Sequence, residues 1–264
     1  MVQTVKTKDF EMDYIRFGHG EDTLVVLPGL SVQSVMLSEA AIVEAYQPLT
    51  DDYTLYFMDY RKEVTGTYTI YDRAMDVTTA IKELGLTKIN LFGVSMGGMV
   101  SLTIATEYPK LVKKLVLGST TSQIGEDECR MISKWASLAK EGNATDVYLA
   151  FGEAVYPQEV FEKSKDLFKN AAKTVTRAEL EKFVIMCEGV KGFNVSDKLE
   201  AIECPVLVLG ASDDKVLGAG ASLKIEERLK SHNDCEIHMY DGYGHAAYDL
   251  APDYKERILS FLKS

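Results

Sequence analysis

The sequence predicts an α/β domain with a mostly parallel central sheet, helices on its flanks and one helical insertion. Three observations lead there. Apolar runs of strand length alternate with helix-period segments through residues 1–120, and the same alternation resumes over 198–264. Between them, residues 121–197 carry helical patterns and no convincing strand. Short buried strands alternating with helices are the mark of a parallel sheet covered on both faces. The core is therefore expected at 1–120 and 198–264, with 121–197 as a helical cap over it.

Taken in order, "FEMDYIRFGHGEDTLVVLPG" reads as two strands joined by a glycine turn at Gly18-His19-Gly20. "YTLYFMDYR" (53–61) is a further strand, and "IYDRAMDVTTAIKELG" (70–85) an amphipathic helix closed by Gly85. A strand over 88–93 runs into a helix after Ser95, followed by the apolar strand "KKLVLGST" (113–120). The insertion holds "EDECRMISKWASLAKEG", "TDVYLAFGEAVY" and "EVFEKSKDLFKNAAK" as helices. After it come the strand in "CPVLVLGAS" (204–212), a helix near 221–230, the strand "CEIHMY" (235–240) and a closing helix around 253–263.

The bulk properties exclude several classes. A chain of 264 residues holds one large α/β domain, and 46 % hydrophobic with 26 % charged residues is ordinary for a globular protein. The formal net charge of −11, spread rather than blocked, disfavours nucleic acid and anionic membrane as partners. Cys129, Cys187, Cys204 and Cys235 show no metal-ligand spacing and are expected as buried, reduced thiols. "MVQTVKTKDF" lacks a signal-peptide run and no stretch reaches membrane-spanning length, which predicts a cytoplasmic protein.

In a parallel α/β sheet, reactive groups gather at the carboxyl ends of the strands. "PGLS" follows the strand at 24–27, Ser95 the strand at 89–93, "ASDDK" the strand at 206–210, and "DGYGHAAYD" the strand at 236–240. Serine, aspartate and histidine thus occur on strand-end loops in the order that accompanies a nucleophile elbow, Gly-x-Ser-x-Gly. The elbow here is Gly93-Val94-Ser95-Met96-Gly97, with Gly98 beside it. A plain tight turn needing glycine's φ freedom would also use such glycines. The chemistry favours the elbow: a serine hydroxyl becomes nucleophilic only when an imidazole takes its proton. His245 is the one histidine of four on a glycine-rich loop between the last strand and last helix. His19 falls in a turn, His232 in a polar loop and His238 within a strand. Either Asp213 or Asp214 holds the far ring nitrogen, because neighbouring side chains leave a strand in different directions. Asp59, Asp72 and Asp76 are read as capping or pairing groups on the surface. The helix starting after Ser95 aims the amide of Met96 at a developing oxyanion.

With "GVSMGG", "DYR", "CPVLVLGASDD" and "GYGHAAYD" in this order, nearly the whole chain resembles the α/β-hydrolase superfamily, in particular its capped, cofactor-free members. The resemblance implies Asp214 as the acid, nine residues after Pro205, with Asp213 as the runner-up. It also implies the amide of Leu30 as second oxyanion donor, in a segment where Pro28 replaces the usual histidine. The glycine-rich segment expected after Asp-x-Arg is degenerate, "KEVTGTY", and leaves the subfamily open. Serine at the elbow sets the chain apart from the dehalogenase and epoxide-hydrolase branches, which use aspartate.

The expected chemistry is attack on an ester, thioester, lactone or activated C–C bond of a small, partly apolar molecule, through an acyl-enzyme and with no metal or organic cofactor. Trp135, Tyr148, Phe151, Tyr156 and Met131 of the insertion are candidates for an apolar pocket or for the insertion's own core. Acyl transfer to an alcohol or peroxide would use the same three residues. A small-molecule receptor built on a hydrolase pocket is the competing class.

Overall fold

The computed structural model describes residues 1–231 and 234–264. In chain order the elements are β1 (Val2–Lys6), β2 (Glu11–Phe17), β3 (Asp22–Leu27), α1 (Glu39–Ala45), β4 (Tyr53–Arg61), α2 (Ile70–Glu83), β5 (Ile89–Val94), α3 (Met96–Glu107) and β6 (Val112–Gly118). Then follow α4 (Glu126–Lys140), α5 (Ala144–Val155), α6 (Gln158–Ala172), α7 (Arg177–Glu188), β7 (Val206–Ala211), α8 (Gly220–Leu229), β8 (Cys235–Tyr240), α9 (Ala247–Leu250) and α10 (Tyr254–Lys263). The strands form one sheet in the order β1-β2-β4-β3-β5-β6-β7-β8. β1, β2 and β4 pair antiparallel, and every pair from β4–β3 onward is parallel. This is the expected α/β class.

The central strands follow from their residues. All six residues of β5 are buried, as are the six of β7, so both read as continuous apolar runs rather than alternating ones. α2 begins at a reciprocal cap, in which the Thr69 hydroxyl accepts from the amide of Asp72 and the Asp72 carboxylate accepts from the amide of Thr69. It ends where Gly85 takes φ +70° and the Leu86 amide donates back to the carbonyl of Ile81.

Two expectations change. β2 and β3 do not form a hairpin, because β4 lies between them in the sheet. Leu24 to Leu27 are wholly buried, which draws β3 into the parallel centre, while the turn at Gly18 and Gly20 presses against the backbone before β4. His19 therefore sits in an exposed connection, its Nε2 3.5 Å from Asp51. The sheet also gains β1 at its edge, whose short, mostly polar sequence carries little strand signal. His232, read as a loop residue, lies outside the described residues.

Four helices, α4 to α7, occupy the stretch between β6 and β7, with α4 packed on α7 and α5 on α6. The fourth, α7, starts at its own capping box, Thr176 with Glu179. None of the four cysteines forms a disulfide; Cys187 and Cys204 are buried, whereas Cys129 and Cys235 are only partly so. Among the described residues no helix is long and apolar enough to cross a membrane.

Candidate active site

Ser95 sits between β5 and α3 with φ 53° and ψ −120°, a conformation that non-glycine residues rarely adopt. Such strain, of roughly 1–3 kcal/mol, persists only where the surroundings hold it. Here the Ser95 amide donates to the carbonyl of Gly118 at 2.8 Å. Its carbonyl accepts from the amides of Gly98 and Met99 and, at 2.7 Å, from the Thr120 hydroxyl.

The neighbouring glycines serve space rather than φ, since none of the three has a positive φ. A Cβ at Gly93 would lie 2.3 Å from both the Gly97 carbonyl oxygen and the Ser101 hydroxyl. One at Gly97 would lie 2.2 Å from the Leu27 carbonyl oxygen, and one at Gly98 2.5 Å from the Thr120 side chain. The glycines let α3 crowd against β3 and β6 so that the strained residue is Ser95 itself.

His245, 2 % exposed, lies in the turn between β8 and α9. Its Nε2 is 2.9 Å from the Ser95 Oγ and its Nδ1 2.8 Å from the Asp214 Oδ2. A carboxylate at Nδ1 demands a proton there, which leaves Nε2 as the acceptor for the serine hydroxyl. Asp214, in the loop after β7, accepts with its other oxygen from the amides of Val216 (2.8 Å) and Leu217 (3.0 Å). Burial pulls its carboxyl upward, but the His245 charge and hydrogen bond, with those two amides, outweigh this and hold it below the usual carboxylate range. Asp213 accepts instead from the Gly244 amide, at 3.0 Å, and so holds the backbone next to the imidazole.

The other acids differ from expectation. Asp72 caps α2, but Asp76 is buried and accepts from Arg61 (Nε and Nη2, both 2.5 Å) and from the Tyr68 hydroxyl (2.6 Å). Asp59 is also buried, accepting from Ser34 at 2.6 Å and the Tyr60 amide at 2.8 Å. Neither stands on the surface: a guanidinium, two hydroxyls and a backbone amide in and near β4 supply the partners that burial requires.

A small apolar pocket of about 30 Å³ meets Ser95 and His245, walled by Leu30, Met96, Trp135, Phe151, Val216 and Leu217. The rings of Trp135 and Phe151 stand 4.8 Å apart. Of the other aromatic candidates, Tyr148 donates to Gln33 at 3.1 Å and Tyr156 to Asp249 at 3.0 Å. Met131 packs against the core. Met96 is the first residue of α3, and the first amides of a helix have no intrahelical acceptor. Gly29, next to Leu30, approaches so closely that a Cβ there would lie 3.2 Å from that of Ser95. The Tyr60 hydroxyl donates to the Pro28 carbonyl at 2.9 Å and braces this loop. Among the described residues no group of three or more His, Cys, Asp or Glu side chains could hold a metal ion.

Three polar features went unread in the sequence. Gln33 bridges the loop after β3 to two insertion helices, donating to Glu179 at 3.1 Å while accepting from Tyr148. Lys182 of α7 donates to the carbonyls of Arg61 and Lys62, at 2.8 and 3.2 Å. Arg73 is wholly buried and touches Met96. The signal for all three is tertiary: each joins segments far apart in the chain.

Comparison with known proteins agrees with this fold. A family model described as serine aminopeptidase, S33, matches residues 60–249. The chain is similar to 3-oxoadipate enol-lactonase 2 of Acinetobacter baylyi, 22 % identical over 218 residues that cover 81 % of this chain and 79 % of that one. It is 26 % identical over 234 residues to a putative carbamate hydrolase RutD of Agrobacterium fabrum, covering 85 % and 88 %. Among solved structures, an α/β hydrolase enzyme from a Medee basin deep-sea metagenome library superposes with a TM-score of 0.88 at 20 % identity, covering 99 % of this chain and 98 % of the other. The enol-lactonase from Burkholderia xenovorans superposes with a TM-score of 0.85 at 16 % identity, covering 99 % and 100 %.

Proposed function

The chain belongs to the α/β-hydrolase family described as serine aminopeptidase, S33, and from that membership we propose a serine hydrolase that cleaves an ester-type bond of a small, partly apolar molecule. The observation that carries the proposal is the continuous chain Ser95 Oγ, His245 Nε2, His245 Nδ1, Asp214 Oδ2, with links of 2.9 and 2.8 Å. In this reading His245 takes the serine proton as Oγ attacks the acyl carbon, then gives it to the leaving group. Asp214 keeps the ring in the productive tautomer and stabilises the imidazolium. The amides of Met96 and Leu30 receive the oxyanion, and water then releases the acyl group.

Residues 121–197 act as a cap in this account, since Trp135 and Phe151 wall the pocket above the nucleophile. The relatives' names span an enol-lactone, a carbamate and, for a Pseudomonas sp protein 23 % identical over 191 residues, a 2-hydroxy-6-oxononadienedioate hydrolase. Attack on an acyl carbon is common to these bonds, and an ester presents the same carbon to this apolar pocket.

Labelling tests the proposal. A fluorophosphonate is expected to modify Ser95 alone, located by peptide mass spectrometry, and to abolish turnover of p-nitrophenyl acetate in proportion. Turnover that persists after complete labelling, or a label on another residue, contradicts it.

A further inference from the structure

Arg73, on α2, is the largest wholly buried side chain among the described residues. Its fork joins three segments, two of them distant in the chain. Nη2 donates to the carbonyl of Tyr68 at 2.8 Å and to that of Met186, in α7, at 2.7 Å. Nη1 points at the sulfur of Met96, 3.1 Å away, and the guanidinium carbon stands 5.2 Å from the centre of the Tyr68 ring. Nε has no partner. The cradle is tight: a Cβ on Gly189 would lie 2.7 Å from Nη2 and 1.8 Å from the Tyr68 carbonyl oxygen.

Among the described residues no carboxylate forms an ion pair with this cation. Asp72 is taken up by the α2 cap and Asp76 by Arg61 and Tyr68. The other ionisable groups around it are Tyr60, Tyr68 and Cys187, whose phenols and thiol burial pushes upward, so they stay neutral. Nη2 holds the fold together through the carbonyls of Tyr68 and Met186, but a neutral donor would serve those carbonyls as well, so the fold alone does not account for a charge here. Its position does. Met96 lines the Ser95 pocket, and so does Val190, just beyond Gly189.

We propose that Arg73 is a positioning residue for the reaction at Ser95: it ties the elbow residue Met96 to the last turn of α7 and keeps an uncompensated positive charge one side chain from the oxyanion amide. This rests on the serine mechanism proposed above. In a dry interior such a charge acts on a developing oxyanion far more strongly than it would through water.

The test compares Arg73→Met with Arg73→Lys on p-nitrophenyl acetate, measuring kcat and KM on protein shown to be folded by circular dichroism. Arg73→Met is expected to fold but to melt lower than the wild type, because the carbonyls of Tyr68 and Met186 lose their Nη2 donor. Its kcat should fall about tenfold, less than the roughly 10²–10³ for loss of a direct oxyanion donor. KM should hold. Arg73→Lys, which keeps the charge, should recover part of kcat. A folded Arg73→Met with wild-type kcat overturns the proposal, as does an equal loss of kcat in both variants. Should Arg73→Met not fold, Met96→Leu decides: it removes the sulfur that faces Nη1 while keeping an apolar side chain of similar volume and should lower kcat at constant KM, and unchanged kcat there overturns the proposal. Failure of the serine mechanism itself would look different, because the wild type would then show no turnover dependent on Ser95.

Discussion

Gly97 and Leu27 approach so closely that a Cβ on the glycine would stand 2.2 Å from the leucine carbonyl oxygen. The obstacle is backbone at the end of β3, so no rotamer change relieves it. Gly97→Ala is therefore expected to lower stability by about 1–3 kcal/mol, the range for overpacking, and to displace the elbow. Gly220→Ala is the control, since a Cβ there meets nothing within 4 Å at the start of α8. It should leave the protein as stable or raise it by roughly 0.4–1 kcal/mol. Urea midpoints measure both; a Gly97→Ala protein as stable as the wild type would undo the close-approach argument.

The two adjacent aspartates separate by function. Asp214→Asn should fold yet lose about 10⁴ in kcat, the precedent being the same change in a serine protease triad. Asp213→Asn keeps an oxygen that can accept from the Gly244 amide, so its loss should stay within about tenfold, the scale of one weakened hydrogen bond. Kinetics on both, with circular dichroism to establish folding, check the pair. A dead Asp213→Asn beside a near-normal Asp214→Asn would reverse the roles.

Lys255 gives a pH signature. Its ammonium donates to the Tyr248 carbonyl at 2.6 Å and lies against the rings of Tyr46 and Tyr254. Burial lowers its pKa from 10.5 to about 8, against a smaller upward pull from Asp249. Between those values the unfolded chain binds more protons than the folded one, so this group makes stability rise with pH across the window. Below it the folded protein bears the full penalty of a buried ammonium. Lys255→Met is expected to raise Tm at neutral pH, with the gain shrinking as pH climbs from about 8 to 10.5. A Tm difference independent of pH would contradict the burial argument.

Pocket size sets an acyl limit. A water needs roughly 10–15 Å³ of such space, so the 30 Å³ beside Ser95 holds two or three groups of that size. Each surplus methylene in an apolar pocket changes kcat/KM by roughly 10–200-fold. Activity on p-nitrophenyl esters should therefore peak at acetate or propionate and fall steeply beyond. Trp135→Ala should move the optimum to longer chains, provided circular dichroism shows that the fold survives the loss of a buried indole. A wild-type optimum at octanoate would contradict the limit.

Much of this was legible in the residues, and the exceptions have physical causes. β4 was read from its aromatic and apolar run, and the Ser95, Asp and His245 loops from their places at strand ends. The order of β2, β4 and β3 was not legible, because pairing between strands is decided by which faces are buried, not by adjacency in the chain. Which of Asp213 and Asp214 faces His245 turns on side-chain direction: the resemblance suggested Asp214, and its Oδ2 lies 2.8 Å from the Nδ1 of His245. Glycines at the elbow read alike whether they supply φ or space; here Ser95 holds the positive φ. Asp59, Asp76 and Arg73 were missed for one reason: charged residues are almost always exposed, and their burial depends on partners from distant segments.

The central claim is that Ser95 is the nucleophile, and Ser95→Ala tests it most directly. The variant removes one oxygen from a residue already held by backbone contacts, so it should fold and melt as the wild type does. Its kcat on p-nitrophenyl acetate should fall by roughly 10⁴–10⁶, the range for loss of a triad nucleophile. A folded Ser95→Ala protein that keeps more than about a tenth of wild-type turnover would contradict the account, since Ser95 could then not be carrying the acyl group.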